Sequence, residues 1–314
     1  MPATILPTAA PPRGFLDWPV VTDPGRWRGA AAVLGVPCSE PYPGDAAPND
    51  QTGAPAAIRA QSGQFSDGPE RWDFDLGGPL GPILGGTAFD AGDCTRGPEP
   101  FADYFAATVA RLEALFAGTR FVAVLGGDHG ATIPVLHGLR TLGRPVHLVQ
   151  IDAHLDWRDE VGGVRRGYSS PIRRASELPH IAGITQIGLR GTGSARTAEV
   201  EAARAYGARL FTAAEIHEEG MGPVLAHLAG KAPYYLTIDA DGLDPSIMPG
   251  VLAPAPGGLR VDQVLPLVRF LARAGLCGMD VVEVAPSFDL ANAITAITAG
   301  RLIVNALGHA LRAS

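Results

Sequence analysis

Three short apolar runs, each ending in a cluster of aspartate and histidine, constrain this chain more than any other feature. FVAVL at 121–125 runs into Gly126-Gly127-Asp128-His129, and VHLVQI at 146–151 into Asp152-Ala153-His154-Leu155-Asp156. YYLTI at 234–238 runs into Asp239-Ala240-Asp241-Gly242-Leu243-Asp244-Pro245. Continuous apolar runs of this length read as strands buried on both faces. Further strands are expected at 31–36, 184–189 and 278–284, and helices at 55–61, 101–116, 132–142, 195–206, 221–228, 261–274 and 292–307. Strands alternating with helices define an α/β chain whose mostly parallel sheet is covered on both faces. Such sheets bind ligands at the carboxyl ends of their strands. All three polar clusters fall at those ends, which points to one convergent site.

In an extended chain, side chains two apart share a face, so Asp152, His154 and Asp156 align, as do Asp239 and Asp241. Ionised carboxylates gathered in a partly dry cleft repel one another, and divalent cations remove that conflict. Oxygen-rich donors with one or two imidazoles suit manganese. Two such ions sharing a water activate it for attack on an electrophilic carbon, so the reaction class is metal-assisted hydrolysis. A lone DxHxD is also compatible with a capping loop, but three clusters after three strands argue against a merely structural role. Asp128 either orients His129 or caps the helix near residue 131. Asp244, before Pro245, reads as a turn residue, and Gly126 and Gly127 as a tight turn rather than a phosphate loop.

Composition narrows the class further. The chain carries 25 Lys and Arg against 32 Asp and Glu, a formal charge of −7, with no long run of either sign, so nucleic acid is not an expected partner. Cys38, Cys94 and Cys277 are odd in number and lack CxxC spacing, which argues against a disulfide framework or a thiolate zinc site. The first residues show neither a basic start nor a signal-length apolar run, and no later stretch reaches about 18 uncharged apolar residues without breakers. A cytoplasmic protein without membrane association is the expectation. Residues 1–30, Pro-rich and Trp-marked, read as an arm packed on one domain spanning 31–314; the loops 40–49 and the Gly- and Pro-rich passage through Gly86 follow from composition.

LGGDHG at 125–130, IDAHLDW at 151–157 and TIDADGLDPSIMPG at 237–250 resemble the signature segments of the ureohydrolase family of arginases, agmatinases and other amidinohydrolases. VLGVPCS, GAPAAIRAQS, DAGD at 90–93, APAPGGL, GMDVVEVAPSFD and ITAITAGRLI extend the likeness over about residues 30–310. The resemblance implies a three-layer α/β/α domain with a central mostly parallel sheet and two Mn2+ per chain at its edge, nickel being the alternative. By motif position, His129, Asp152, Asp156 and Asp239 would hold one ion, and Asp152, His154, Asp239 and Asp241 the other. A water activated between them would attack the guanidinium carbon of a small guanidino substrate, agmatine by default, giving urea and an amine. Glu283 matches the family glutamate that pairs with the guanidinium group; read on its own, it is a carboxylate after an apolar strand that needs a positive partner, substrate or salt bridge. The family often forms trimers or hexamers, so a homo-oligomer is implied.

One departure stands out. Agmatinase-like members continue to a His-Gly-Thr-Pro-Phe-Arg type segment whose histidine relays protons, whereas this chain reads Gly167-Tyr168-Ser169-Ser170-Pro171-Ile172-Arg173-Arg174. Tyr168 falls where that histidine would sit. Its ordinary pKa of about 10 makes it a poor base near neutrality, although its hydroxyl can donate a hydrogen bond. Either Asp156 or a water protonates the leaving amine, or the substrate differs. The segment 157–166 is expected to overhang the centre, Trp157 as a flat wall and Arg158, Arg165 and Arg166 either facing a carboxylate tail or paired with Asp159 and Glu160. Glu40, Asp45 and Asn49 would form the opposite rim and favour a cationic tail. Competing readings are a hydrolase of guanidino acids, guanidine or a substituted guanidine, a silent metal-binding subunit of a hetero-oligomer, and, more weakly matched, a metal-dependent deacetylase.

Overall fold

The structure is a computed structural model that describes residues 5–65, 68–84 and 87–312; Gly86, residues 1–4 of the arm and residues 313–314 lie outside them. One sheet dominates it. Its strands, in chain order, are β1 Gly29–Val36, β2 Ala88–Asp93, β3 Thr119–Gly126, β4 Val146–Ile151, β5 Ile181–Leu189, β6 Arg209–Thr212, β7 Tyr234–Asp239 and β8 Leu276–Val282. They lie in the order β2-β1-β3-β8-β7-β4-β5-β6, and each pairing is parallel. Outside it, Trp72–Asp73 and Gly78–Pro79 form a small antiparallel pair.

Alternation along the strands divides the core into two layers. Phe121, Ala123 and Leu125 pack with the helices Ala54–Ser62, Val261–Ala274 and Ile294–Arg312. Val122 and Val124 face the opposite way, toward Phe101–Gly118, Thr132–Gly138 and Pro171–Ala175. Full burial of each large aliphatic contributes about 1.5–3 kcal/mol. The result is three α/β/α layers, as the strand and helix alternation requires. Helix Ile294–Arg312 is 19 residues long and apolar enough to cross a membrane by length and composition, and it is mostly buried here as a core helix.

Two strands depart from the expected pattern. β2 carries Asp90, fully buried, because Arg59 grips it through Nε at 2.8 Å and Nη2 at 3.0 Å, and the Phe15 N–H adds a third bond. A carboxylate inside a strand is tolerated only with such partners. β6 is a polar edge strand, too short and too exposed to leave an apolar run. Elsewhere the boundaries shift: β8 ends at Val282 rather than 284, the helix expected at 195–206 begins at Thr197, and the one at 132–142 tightens into a 3-10 turn at Leu139–Leu142. The arm contributes Phe15 and Trp27 to the core, both fully buried, and its bridges at Ala9 and Val20 run alongside β2. Covering an edge strand in this way removes an open pairing template.

Candidate metal centre

Four strands that are consecutive neighbours, β3-β8-β7-β4, bring their carboxyl ends to one edge of the sheet. His129 lies just beyond β3 and Glu283 beyond β8; Asp239 ends β7 with Asp241 after it, and Asp152, His154 and Asp156 follow β4. Parallel neighbours lie only ~4.8 Å apart, which is why residues distant in sequence converge. The turn after β3 needs glycine: a Cβ on Gly127 would stand 2.2 Å from the Pro37 carbonyl oxygen.

The carboxylate segments are not extended, contrary to the shared-face expectation. His154 N–H donates to Asp152 Oδ1 at 2.6 Å and Asp241 N–H to Asp239 Oδ1 at 2.8 Å. Each aspartate thus closes a turn on the residue two positions on, which bends the chain where the strand stops. Three residues lining the cleft have positive φ: Asp156 at 51°, Ser194 at 53° and Glu283 at 63°. Such conformations cost on the order of 1–3 kcal/mol in non-glycine residues and gather where side chains must be aimed.

Two ligand groups result, His129 with Asp152 and Asp239, and Asp152 with His154 and Asp241. Asp152 is common to both. Within each group the ligand atoms lie within 4.8 Å of one another. His129 Nδ1 stands 2.8 Å from Asp156, 3.1 Å from Asp152 and 3.2 Å from Asp239, yet it is buried and forms no hydrogen bond. His154 Nδ1 is 3.0 Å from Asp241. A buried ring nitrogen ringed by carboxylate oxygens, none in hydrogen-bonding geometry, fits a cation among them.

The electrostatics say the same. Burial pushes Asp156 up to about 6, with the Asp152 charge adding to it, and drives Asp239 well above the carboxylate range, with Asp241 and Asp152 adding. Hydrogen bonding to Asp152 and Asp241 pushes His154 up to about 12. Burial alone would lower His129, but the carboxylates, Asp156 foremost, raise it well above the imidazole range. The cluster calls for positive charge, and divalent ions supply it.

A second set of residues orients the ligands. Tyr235 and Thr237 hydroxyls donate to buried Asp280, at 2.9 and 2.5 Å, so the Thr237 oxygen is left to accept from His129 Nε2 at 3.0 Å. This places the imidazole proton on Nε2 and turns the Nδ1 lone pair toward the carboxylates. Gln186 donates to Gln150, which donates to Asp152 Oδ2 at 2.6 Å. None of these supports stood out in the sequence, because buried Thr and Gln inside strands leave no spacing signal.

The cleft over the centre measures about 310 Å³. Glu283 and Tyr168 line it together with Asp45, Asn49 and five of the six proposed ligands; Asp152 lies fully buried, outside that lining. Tyr168 is half-exposed and stacks edge-on against Tyr42 at 4.8 Å between ring centroids. The segment 157–166 does not overhang the cleft. Trp157 is buried against Tyr206, Arg158 pairs with Glu199 at 2.8 Å, Arg165 with Asp159 at 3.1 Å, and Arg166 stacks over Phe105. Glu40 is likewise outside the cleft lining. Asp128 accepts from Gly130 N–H and from Asn49, so it caps the turn after β3, and Asp244 accepts from Ser246, Gly257 and Gly258 as a loop clasp.

A parallel three-layer fold with a cluster able to hold two metal ions at its carboxyl edge is consistent with ureohydrolase-type hydrolysis. The model of the Arginase family matches residues 29–308, and the chain belongs to that family, within the ureohydrolases. An agmatinase of Sodalis glossinidius is 33% identical over 305 residues, covering 94% of this chain and 91% of that one. Proclavaminate amidinohydrolase of Streptomyces clavuligerus is 31% identical over 245 residues, 75% of this chain and 74% of its own. A solved structure of that enzyme superposes with a TM-score of 0.82 at 28% identity, over 97% of this chain and 99% of that chain.

Proposed function

We propose that the protein hydrolyses a small guanidino compound with a cationic tail, agmatine by default, to urea and an amine. The observation that carries this reading is the charge of the cleft. Among the described residues that line it, the ionisable groups are Asp45, Asp156, Asp239, Asp241, Glu283, His129, His154 and Tyr168, with no lysine or arginine. Divalent ions offset the ligand aspartates, so the carboxylates left to meet the substrate are Asp45 at the rim and Glu283, a pair that attracts a dication and repels a carboxylate tail. Relatives named agmatinase agree with it.

When bound by His129, Asp152, Asp156, Asp239, His154 and Asp241, two divalent ions supply Lewis acidity and a water activated at neutral pH. The oxygen-rich donor set favours manganese. Glu283 holds the guanidinium group and orients it over the centre. On this reading Asp156, or a water, would hand a proton to the leaving amine. Burial, with Asp45 adding, pushes Tyr168 up to about 12, so it stays protonated and acts only as a hydrogen-bond donor.

The test is urea release by protein reconstituted with manganese or nickel, offered agmatine, guanidinobutyrate, arginine, guanidine and methylguanidine, with bound metal counted. Agmatine turnover at two metals per chain is expected. Urea from a guanidino acid but not agmatine would overturn the cationic-tail assignment. Two bound metals without urea from any compound would favour a silent subunit.

A further inference from the structure

Arg190, the first residue beyond β5, belongs to none of the motifs, yet its guanidinium spans the loop that carries a metal ligand. It donates to five main-chain carbonyls: Nη1 to Gly188 at 3.1 Å and Gly242 at 3.2 Å, Nη2 to Asp241 and to Leu243 at 3.3 Å, and Nε and Nη2 to Ala255 at 3.0 and 2.6 Å. Three of these carbonyls, 241 to 243, are consecutive. Among the described residues the half-buried guanidinium is met directly by backbone oxygens, with the charges of Asp241, Asp152, Asp244 and Asp239 acting on it at longer range.

We propose that Arg190 is a positioning residue for the second metal site, the group made by Asp152, His154 and Asp241. The Asp241 side chain has two attachments of its own, Ala153 N–H to Oδ1 at 3.2 Å and His154 Nδ1 beside Oδ2 at 3.0 Å. Both depend on where the 241–243 backbone sits, and the Arg190 fork fixes that backbone. The same residue ties the loop to the β4 side of the site, since Arg190 N–H donates to the Ala153 carbonyl at 3.2 Å. Lysine cannot replace it, because one ammonium cannot span five carbonyls that a planar guanidinium reaches at once. The first group has separate supports: His129 is held by Thr237 at its ring and by Glu283 at its main chain. Loss of Arg190 therefore loosens one ion and spares the other.

The inference rests on the binuclear reading of the site. The test uses the full chain as wild type, Arg190→Lys and Arg190→Met, with His154→Ala as a one-site reference. Each is stripped with a chelator, titrated calorimetrically with manganese, counted for metal after dialysis, and melted without metal. Wild type is expected to hold two ions. Both Arg190 variants are expected to keep one with wild-type affinity, to bind the second about 10–100-fold more weakly, and to melt near wild type without metal. Two wild-type-like sites in Arg190→Lys would show that charge suffices and overturn the proposal. Loss of both ions with a lowered metal-free melting temperature would overturn it in favour of general fold support. A wild type that takes up fewer than two ions would sink the binuclear reading itself, and the proposal with it.

Discussion

Glu283 and His129 are joined through the main chain: Glu283 Oε1 accepts the His129 N–H at 2.7 Å, while Oε2 accepts from Gln51 at 2.8 Å. The proposed substrate anchor thus steadies the segment bearing a metal ligand. Among the described residues the side-chain oxygens of Glu283 bond to Gln51 and the His129 N–H and to no lysine or arginine, so the salt-bridge alternative finds no partner. Burial, with the Asp128 charge adding, pushes its carboxyl up to about 8, so without substrate the group is largely protonated at neutral pH, and a bound guanidinium would draw it into its ionised form. Replacing Glu283 with Gln removes the anion while keeping the shape. We expect kcat/KM to fall at least about a hundredfold, on the order of 3 kcal/mol, with two metals still bound. Unchanged turnover in that variant would remove Glu283 from the substrate site.

The position of Tyr168 sets a second expectation. A phenol held near 12 cannot take a proton at neutral pH, so its contribution is one donated hydrogen bond. Tyr168→Phe should lower kcat roughly tenfold, the worth of about one such bond, and leave the shape of the pH–rate profile alone. Loss of a profile limb on this substitution would show instead that the hydroxyl titrates during turnover.

The convergence of the candidate ligands was legible because strand ends carry them: apolar runs are dictated by two-sided burial, and clusters placed after them converge once the strands pair in parallel. The conformation of those clusters was not legible, since Asp152 and Asp239 bend the chain with side-chain bonds that an alternation rule ignores. The arginines of 157–166 read as solvated or paired groups before they read as substrate contacts, and the placement of Glu199, Asp159 and Glu177 pairs Arg158 and Arg165. Arg190 was invisible for a different reason: its partners are carbonyls, which every residue has. β2 was hidden because Asp90 breaks its apolar run, and the compensating Arg59 lies thirty-one positions away.

Buried Asp280 gives a pH dependence whose sign can be worked out. Burial raises it from 3.8 to about 6, against the hydrogen bonds from Thr237 and Tyr235. The folded state therefore holds this proton more tightly than the unfolded chain between about pH 4 and 6. Its favourable contribution is complete below about pH 4 and is lost as pH rises through 6. Relative to Asp280→Asn, metal-free wild type should lose about 3 kcal/mol across that window. Melting both proteins with chelator from pH 4 to 7 measures the difference, and a flat or rising difference would refute the assignment.

Thr237 supplies the sharpest contrast with Arg190, because the two support different ions. The Thr237 hydroxyl gives its proton to Asp280 and takes one from His129 Nε2, which fixes the tautomer that leaves Nδ1 free for metal. Thr237→Val keeps the volume and removes the acceptor, stranding a buried N–H at a cost of about 1–3 kcal/mol. The imidazole then loses its preference for the binding tautomer, and the ion at His129, Asp152 and Asp239 should bind about 10–100-fold more weakly. The ion at Asp152, His154 and Asp241 should change less, since the Thr237 hydroxyl bonds to His129 and Asp280 while His154 is held beside Asp152 and Asp241. Thr237→Ser retains the hydroxyl and should restore affinity, separating the hydrogen bond from simple packing. Manganese titration of both variants beside the wild type decides it: if Thr237→Val keeps wild-type affinity at both sites, the Asp280–Thr237–His129 chain has no hold on the metal.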